Sequence, residues 1–343
     1  MKRKFFAAVL ALAMVLSLVA CGGTNSSGTS SDSSDEADTS SEATSWVPDK
    51  NITVVVPYGA GGTTDLSTRA LLDVAGKSLP SGVNFVVENV AGSGGMVGCE
   101  QVATAKADGY TLVPMSCDLP LNRALGVTEM VAEEAFIPLC RTQNEPYAII
   151  VRSDSDIQSL EDMVAVAQSG PEALSIGITG IGTGNGLACL TFQEYFDCAL
   201  KLVPFDSAAD AMVAVVNGQV DMTINSAVSA AGQVEAGELK IIGVTANEKS
   251  PTMPEVPALG EVFDEASEMA VYSWITVAAP AGTPDEVVNY LFDLLNTACK
   301  STEYADEGFY MTPQPLDSID KMVDYWKSQY EYYVYALGDQ AAV

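Results

Sequence analysis

Ile52-Thr53-Val54-Val55-Val56-Pro57-Tyr58-Gly59-Ala60-Gly61-Gly62-Thr63-Thr64-Asp65 joins a β-branched run to a glycine turn, and a helical pattern follows to Leu79. Continuous Val and Ile read as a strand buried on both faces. Glycines after such a strand let backbone N–H groups approach a ligand closely, and the next helix points its positive end at the same place. A bare turn needs only Thr63 or Thr64 as a cap and Asp65 as a first-turn acid; four small residues and two hydroxyls exceed that. No Gly-Lys-Ser/Thr follows, so the segment is not a P-loop. Open parallel sheets bind ligands at the carboxyl ends of their strands. The segment therefore predicts an α/β sheet with a ligand loop.

The same logic returns at Thr179-Gly180-Ile181-Gly182-Thr183-Gly184-Asn185-Gly186, again after a strand-like run (Leu174 to Ile178) and before a helical one (Leu187 to Phe196). A dinucleotide fingerprint fails there, because Asn185 stands where the third glycine belongs and Lys201-Leu202-Val203 where an acid should be. Gly92 to Gly95 is shorter and by itself reads as a turn. Between these landmarks strand-like and helix-like segments alternate: strands at Phe85 to Glu88, Thr111 to Met115, Phe136 to Leu139, Ala148 to Val151, Lys201 to Val203, Asp221 to Ile224, Leu239 to Thr245 and Tyr272 to Ala278, with helices between them. Such alternation predicts mainly parallel sheets flanked by helices. A crossover near Ala148 to Arg152 puts the two glycine-threonine loops in separate lobes that face each other across a cleft. An anion bridging them would collect charge-assisted hydrogen bonds of about 1.5–3 kcal/mol each. From about Ser318 the last helix places Met322, Trp326, Tyr330, Tyr333 and Leu337 on one stripe, a spacing that favours core packing over a ligand face.

Composition narrows the chemistry. The 343 residues hold 45 acids, 16 bases and no histidine, for a formal net charge of −29. Histidine-dependent triads, histidine general bases and HExxH zinc sites are thereby excluded, and the acid excess argues against nucleic acid as a partner. No cofactor motif is found. Lys2, Arg3 and Lys4 precede an apolar run from Phe5 to Ala20, too short for a membrane span of about twenty residues but suited to a signal peptide. It ends Leu18-Val19-Ala20-Cys21-Gly22, which resembles a bacterial lipobox and implies lipidation of Cys21 and anchorage to the cell membrane. Residues 21–45 then form an acidic Ser/Thr/Gly stretch with nothing to bury, a flexible tether by composition. The six further cysteines form no CxxC pattern and are expected to be buried free thiols.

Val54 to Asp65 also resembles the opening motif of the substrate-binding receptors of tripartite tricarboxylate transporters, the Bug family. Further similar motifs follow in order: Val87 to Gly95, Ala107 to Leu112, Gly182 to Ala188, Val203 to Asp206, Asn217 to Asp221, Pro254 to Pro257 and Ala279 to Pro284. The resemblance covers Trp46 to the C-terminus. It implies a two-lobed periplasmic-binding-protein fold of type II-like form, with a hinge between lobes, no catalysis, a small carboxylate ligand (mono-, di- or tricarboxylate or acidic amino acid) and delivery to membrane permease subunits. By that resemblance the ligand carboxylate is gripped through Tyr58, Ala60, Gly61, Gly62 and Thr63 on one lobe and Thr179, Gly180, Gly182 and Thr183 on the other, with amides and hydroxyls in place of arginine.

Ser116 and Asn225, at strand ends in the two lobes, are further ligand candidates, with helix capping as the alternative for each. Arg123 departs from the family pattern and is either a surface residue or the reader of a second carboxylate. The expected division is a signal peptide over 1–20, the lipidated tether over 21–45, a first lobe over 46–150 and 272–343, and a second lobe over 151–271. Two rival readings stand beside the receptor: a sensor subunit presenting ligand to a membrane signalling protein, and an exported hydrolase using Asp65 and Asp206 as an acid/base pair.

Overall fold

The computed structural model describes residues 46–307, 317–338 and 341–342. The signal segment, Cys21 and the tether to residue 45 lie outside the described residues. Everything below concerns the compact unit that begins at Ser45.

Ten strands form two five-stranded sheets among the described residues. In chain order they are β1 (Ile52–Val56), β2 (Phe85–Asn89), β3 (Thr111–Ser116), β4 (Phe136–Pro146), β5 (Ala148–Arg152), β6 (Ser175–Ile178), β7 (Lys201–Pro204), β8 (Met222–Asn225), β9 (Leu239–Val244) and β10 (Tyr272–Pro280). The first sheet has the order β2-β1-β3-β10-β4 and the second β7-β6-β8-β5-β9. The helices are α1 (Thr63–Gly76), α2 (Met96–Ala103), α3 (Asp118–Ala124), α4 (Ala132–Ala135), α5 (Leu160–Gln168), α6 (Gly184–Phe196), α7 (Ala208–Val216), α8 (Ala227–Glu235), α9 (Leu259–Val262), α10 (Asp285–Cys299), α11 (Thr302–Glu307) and α12 (Ile319–Leu337).

The expected two-lobed α/β architecture is present, with one refinement: both sheets are mixed. β1 pairs β2 and β3 in parallel, whereas β10 pairs β3 and β4 antiparallel. β6 pairs β7 and β8 in parallel, whereas β5 pairs β8 and β9 antiparallel. Four strands of each sheet thus share a direction, and the reversed one is the strand that arrives from the other sheet. It must reverse, because each crossover runs from the carboxyl end of one sheet to the carboxyl end of the other. Ala148 accordingly starts β5 opposite Asn225, the last residue of β8, and Tyr272 starts β10 opposite Pro146, the last of β4.

The outward crossover is a single residue, Tyr147. Its N–H donates to Thr245 Oγ1 at 3.1 Å, and Thr245 N–H donates back to Tyr147 O at 2.9 Å. Thr245 Oγ1 also donates to Val271 O at 3.0 Å, so the outward and returning segments are stitched together.

β4 runs seven residues beyond the strand expected over Phe136 to Leu139, through Arg141-Thr142-Gln143-Asn144-Glu145. Polarity hides it from hydropathy, yet Thr142, Gln143 and Glu145 are buried. They are buried because partners wait for them: Gln143 Nε2 donates to Ser273 Oγ at 3.1 Å and Ser250 Oγ to Glu145 Oε2 at 2.8 Å, and hydrogen-bonded polar groups tolerate burial.

Met322, Trp326, Tyr333 and Leu337 of the aromatic stripe on α12 are buried in the core, as helical spacing implied. The helix packs against α3 and α4 and also against α6, so it spans the elements of both sheets. Tyr333 Oη accepts from Trp274 Nε1 at 3.0 Å. Tyr330 is half-buried under the Arg123 guanidinium, 4.0 Å from its ring centroid. All six described cysteines are free thiols, five of them buried and Cys198 half-buried.

Candidate functional site

The first loop is shaped by an acid. Asp65 Oδ2 accepts the Gly61 N–H at 2.9 Å, while Oδ1 accepts from Arg69 Nε at 2.9 Å and Asn89 Nδ2 at 3.0 Å. Gly61 sits at φ +80°, a left-handed conformation that glycine adopts without a Cβ penalty. α1 begins on Gly62 with no side-chain cap, so neither Thr63 nor Thr64 serves as one. Thr63 Oγ1 instead meets Ser229 Oγ of α8 at 2.6 Å, a bond from the first sheet's side to the second's.

Tyr58 turns inward. Its Oη lies 2.6 Å from Ser116 Oγ and donates to Asp118 Oδ2 at 2.9 Å. Gly95, at φ +93°, makes room for it: a Cβ there would stand 2.7 Å from Tyr58 Oη. Ser116 Oγ also accepts the Asp118 N–H at 3.1 Å, at the start of α3, whose N-cap residue is Cys117.

The second loop folds on Asn185, whose Oδ1 takes the Thr179 hydroxyl at 3.2 Å and has the Thr183 hydroxyl beside it. Thr183 Oγ1 also donates to Gly180 O at 2.6 Å. Gly186 lets the turn close, since a Cβ there would fall 2.3 Å from Gly180 O. Two bonds tie this loop to the opposite lobe: Gly184 N–H donates to Asp118 Oδ1 at 2.9 Å, and Asn122 Nδ2 to Gly182 O at 2.8 Å.

The two loops enclose a cavity of about 410 Å³. Of the residues singled out in the sequence, Tyr58, Ala60, Gly62, Thr63, Ser116, Thr179, Thr183 and Asn225 line it. Gly61, Gly180 and Gly182 are not among the lining residues; their backbone groups are engaged by Asp65, Thr183 and Asn122. Gly92 to Gly95, read alone as a turn, also lines the cavity and so joins the site. Asp118, Tyr147, Asn185 and the stretch from Phe205 to Ala209 line it too; of these only Asp206 was singled out in the sequence, and only for the hydrolase reading. The family-like Val203 to Asp206 motif was the available signal for that stretch. Asp118 was masked because α3 contains Pro120 and carries no helical signature.

Among the described residues no lysine or arginine lines the cavity. Arg123 is not among the lining residues; its guanidinium lies over the Tyr330 ring, 4.0 Å from the centroid. The lining carboxylates are Asp118 and Asp206. Burial pushes the Asp118 carboxyl above its ordinary range, opposed by hydrogen bonds from Gly184, Tyr58, Cys117 and Ser116. Burial, aided by the Asp118 charge, likewise raises the Tyr58 phenol. Asp65 is spent on its own loop and does not line the cavity, so it forms no acid/base pair with Asp206. Among the described residues no group of three or more His, Cys, Asp or Glu is placed to hold a metal, and no helix is long and apolar enough to cross a membrane.

Asn225 is the informative side chain. It is 5% exposed, its Oδ1 accepts the Ser226 N–H at 2.9 Å, and its Nδ2 has no partner. A buried, unmatched donor on a cavity wall asks for an acceptor from the cavity's occupant. The wall also holds helix starts, α1 and α6, whose first N–H groups have no acceptor inside the helix.

Two mixed sheets joined at their carboxyl ends around such a cavity define a solute-binding protein of the periplasmic type. A family model described as "Tripartite tricarboxylate transporter family receptor" matches residues 68–317, and the chain belongs to that family. It is 31% identical over 260 residues to the "UPF0065 protein in tcbD-tcbE intergenic region" of Pseudomonas sp. strain P51, covering 76% of each chain. Protein BugT of Bordetella pertussis is 26% identical over 257 residues, 74% of this chain and 78% of that one. The structure of the periplasmic binding protein BugD superposes with a TM-score of 0.77 at 25% identity, over 85% of this chain and 98% of that one.

Proposed function

We propose that the protein captures a small organic carboxylate between its lobes and delivers it to the membrane permease of a tripartite tricarboxylate-type transporter. The observation that carries this reading is Asn225 Nδ2, a buried donor that has no acceptor among the described residues, on a cavity wall to which none of them brings a basic side chain. The ligand carboxylate is taken by Asn225 Nδ2 and by free N–H groups at the start of α1 and α6, with Tyr58, Ala60, Gly62, Thr63, Ser116, Thr179 and Thr183 shaping the grip. Gly61, Gly180 and Gly182 act behind it by holding the loops. Helix N-termini suit an anion because their N–H groups converge on it and the macrodipole favours it. Four or five charge-assisted bonds of about 1.5–3 kcal/mol each reach, before ordering costs, the roughly −8 kcal/mol of micromolar affinity.

In this reading residues 46–146 and the chain from 272 onward form one lobe and 148–271 the other, the boundary expected at 150/151 moving to Tyr147 because Ala148 to Ile150 already pair in the second sheet, and the lobes close about Tyr147 and the returning segment that ends at Tyr272. The protein is extracytoplasmic, held to the cell membrane through a lipid on Cys21. The test is mass spectrometry of small molecules released when the purified protein is denatured, followed by a melting-temperature screen with carboxylic acids. A released carboxylate that raises the melting temperature supports the proposal. A broad carboxylate panel without any shift refutes it.

A further inference from the structure

The cavity walls make opposite electrostatic demands. At the ends of β6 and β8 the wall offers hydrogen-bond donors, foremost the unmatched Asn225 Nδ2. At the end of β3 it offers a carboxylate. Asp118 is buried, and its Oδ1 receives the Gly184 N–H at 2.9 Å with Cys117 Sγ 3.5 Å away. Among the described residues its Oδ2 receives only the Tyr58 hydroxyl, at 2.9 Å. A carboxylate has about four acceptor positions, so Oδ2 retains one on a residue that lines the cavity.

Asp118 also lacks a counter-charge. None of the ion pairs among the described residues includes it, and no Lys or Arg lines the cavity. An ionised carboxylate removed from water is costly unless a cation pairs with it. Asp206, exposed on the same cavity wall, adds negative potential and relieves nothing. Besides a proton, the remaining source of positive charge is the ligand. A second carboxylate on that ligand would meet two acids and no base, which disfavours di- and tricarboxylates.

We infer that the cleft is built for a small zwitterion, an α-amino acid or a close relative, whose carboxylate goes to Asn225 Nδ2 and the helix starts and whose ammonium goes to Asp118 Oδ2. This rests on the carboxylate-receptor reading and narrows it. A cavity of about 410 Å³ sits at the small end of the roughly 300–1,000 Å³ typical of ligand pockets, in keeping with a ligand of that size. Asp118 thus serves twice: it caps α6 from across the cleft, and it selects against ligands that bring no positive charge.

The test is calorimetric titration of the full-length chain in detergent, refolded to remove co-purified ligand. The probes are the proteinogenic L-amino acids, the matching carboxylic acids that lack the amino group, and succinate, malate, adipate and citrate. At least one amino acid is expected to bind, with its des-amino counterpart at least about 10-fold weaker. Asp118→Asn is expected to shrink that ratio toward one. Binding of the plain mono-, di- or tricarboxylates without any amino acid overturns the zwitterion inference and leaves carboxylate reception standing. Binding of an amino acid with an unchanged ratio in Asp118→Asn overturns the role of Asp118. Failure of every carboxylate overturns both readings. Should Asp118→Asn not fold, the amino to des-amino ratio of the wild type decides, a ratio near one being the refuting result.

Discussion

Gly184 N–H donates to Asp118 Oδ1 at 2.9 Å, so the first turn of α6 is capped by a carboxylate that belongs to the other lobe. An anion at a helix N-terminus is stabilised by the local N–H groups and the macrodipole. With the Asn122–Gly182 and Thr63–Ser229 bonds, it fastens the lobes at the cavity itself.

The pH dependence of stability follows from that placement. Burial raises the Asp118 carboxyl in the folded state above its unfolded value, and the groups facing it, Tyr58, Cys99, Cys117 and Tyr147, stay neutral at ordinary pH because their own ionisations are pushed up. A raised carboxyl contributes stability in acid and loses it as pH rises through the folded value. Asp118→Asn removes the titration. Its melting temperature relative to wild type is expected to rise between about pH 4 and pH 8, as followed by circular dichroism. A difference that is flat across this range refutes the assignment.

Asn225→Ala removes a donor that has no internal partner. Ligand affinity should fall about 10- to 150-fold, the equivalent of about 1.5–3 kcal/mol for a hydrogen bond to a charged acceptor. Stability should fall by only about 1 kcal/mol for the lost Ser226 contact. Calorimetry with the released ligand and a urea melt measure the two effects separately.

Glycine substitutions separate crowding from backbone strain. Gly61→Ala strains a left-handed residue but meets no atom within 4 Å, so its cost is about 1–2 kcal/mol with the loop retained. Gly186→Ala places a Cβ 2.3 Å from Gly180 O and 2.7 Å from Ile181 Cα, so the Thr179–Asn185 turn must open. Binding should survive the first change, weakened, and be lost in the second. Thermal shifts with the ligand compare them directly.

Tyr333→Phe deletes the acceptor of a buried indole N–H, Trp274 Nε1. Leaving that donor unmatched should cost about 1–3 kcal/mol, read in a urea melt followed by tryptophan fluorescence.

Much of this site is legible without coordinates because backbone needs leave side-chain traces. A loop that must bring N–H groups close to a ligand requires glycine, and both glycine-threonine segments come together as their pattern implies. What the sequence conceals is chemistry supplied across the cleft. Asp118 reads as an ordinary acid in a stretch broken by Pro120, since nothing local reveals that its partner is sixty-odd positions away in the other lobe. The polar half of β4 is obscured for the same reason: Gln143 and Glu145 are buried only because Ser273 and Ser250 arrive from distant segments. Alternating polarity also cannot report strand direction, so the reversal of β5 and β10 emerges only from the connections.

Tyr147 is the lone residue between β4 and β5, and it also lines the cavity. Under the proposed closure, the axle on which the two halves turn would also be a surface against which the cargo rests. Loading and swivelling would then be one mechanical event, with no linkage needed to carry word of occupancy from a remote pocket to the pivot.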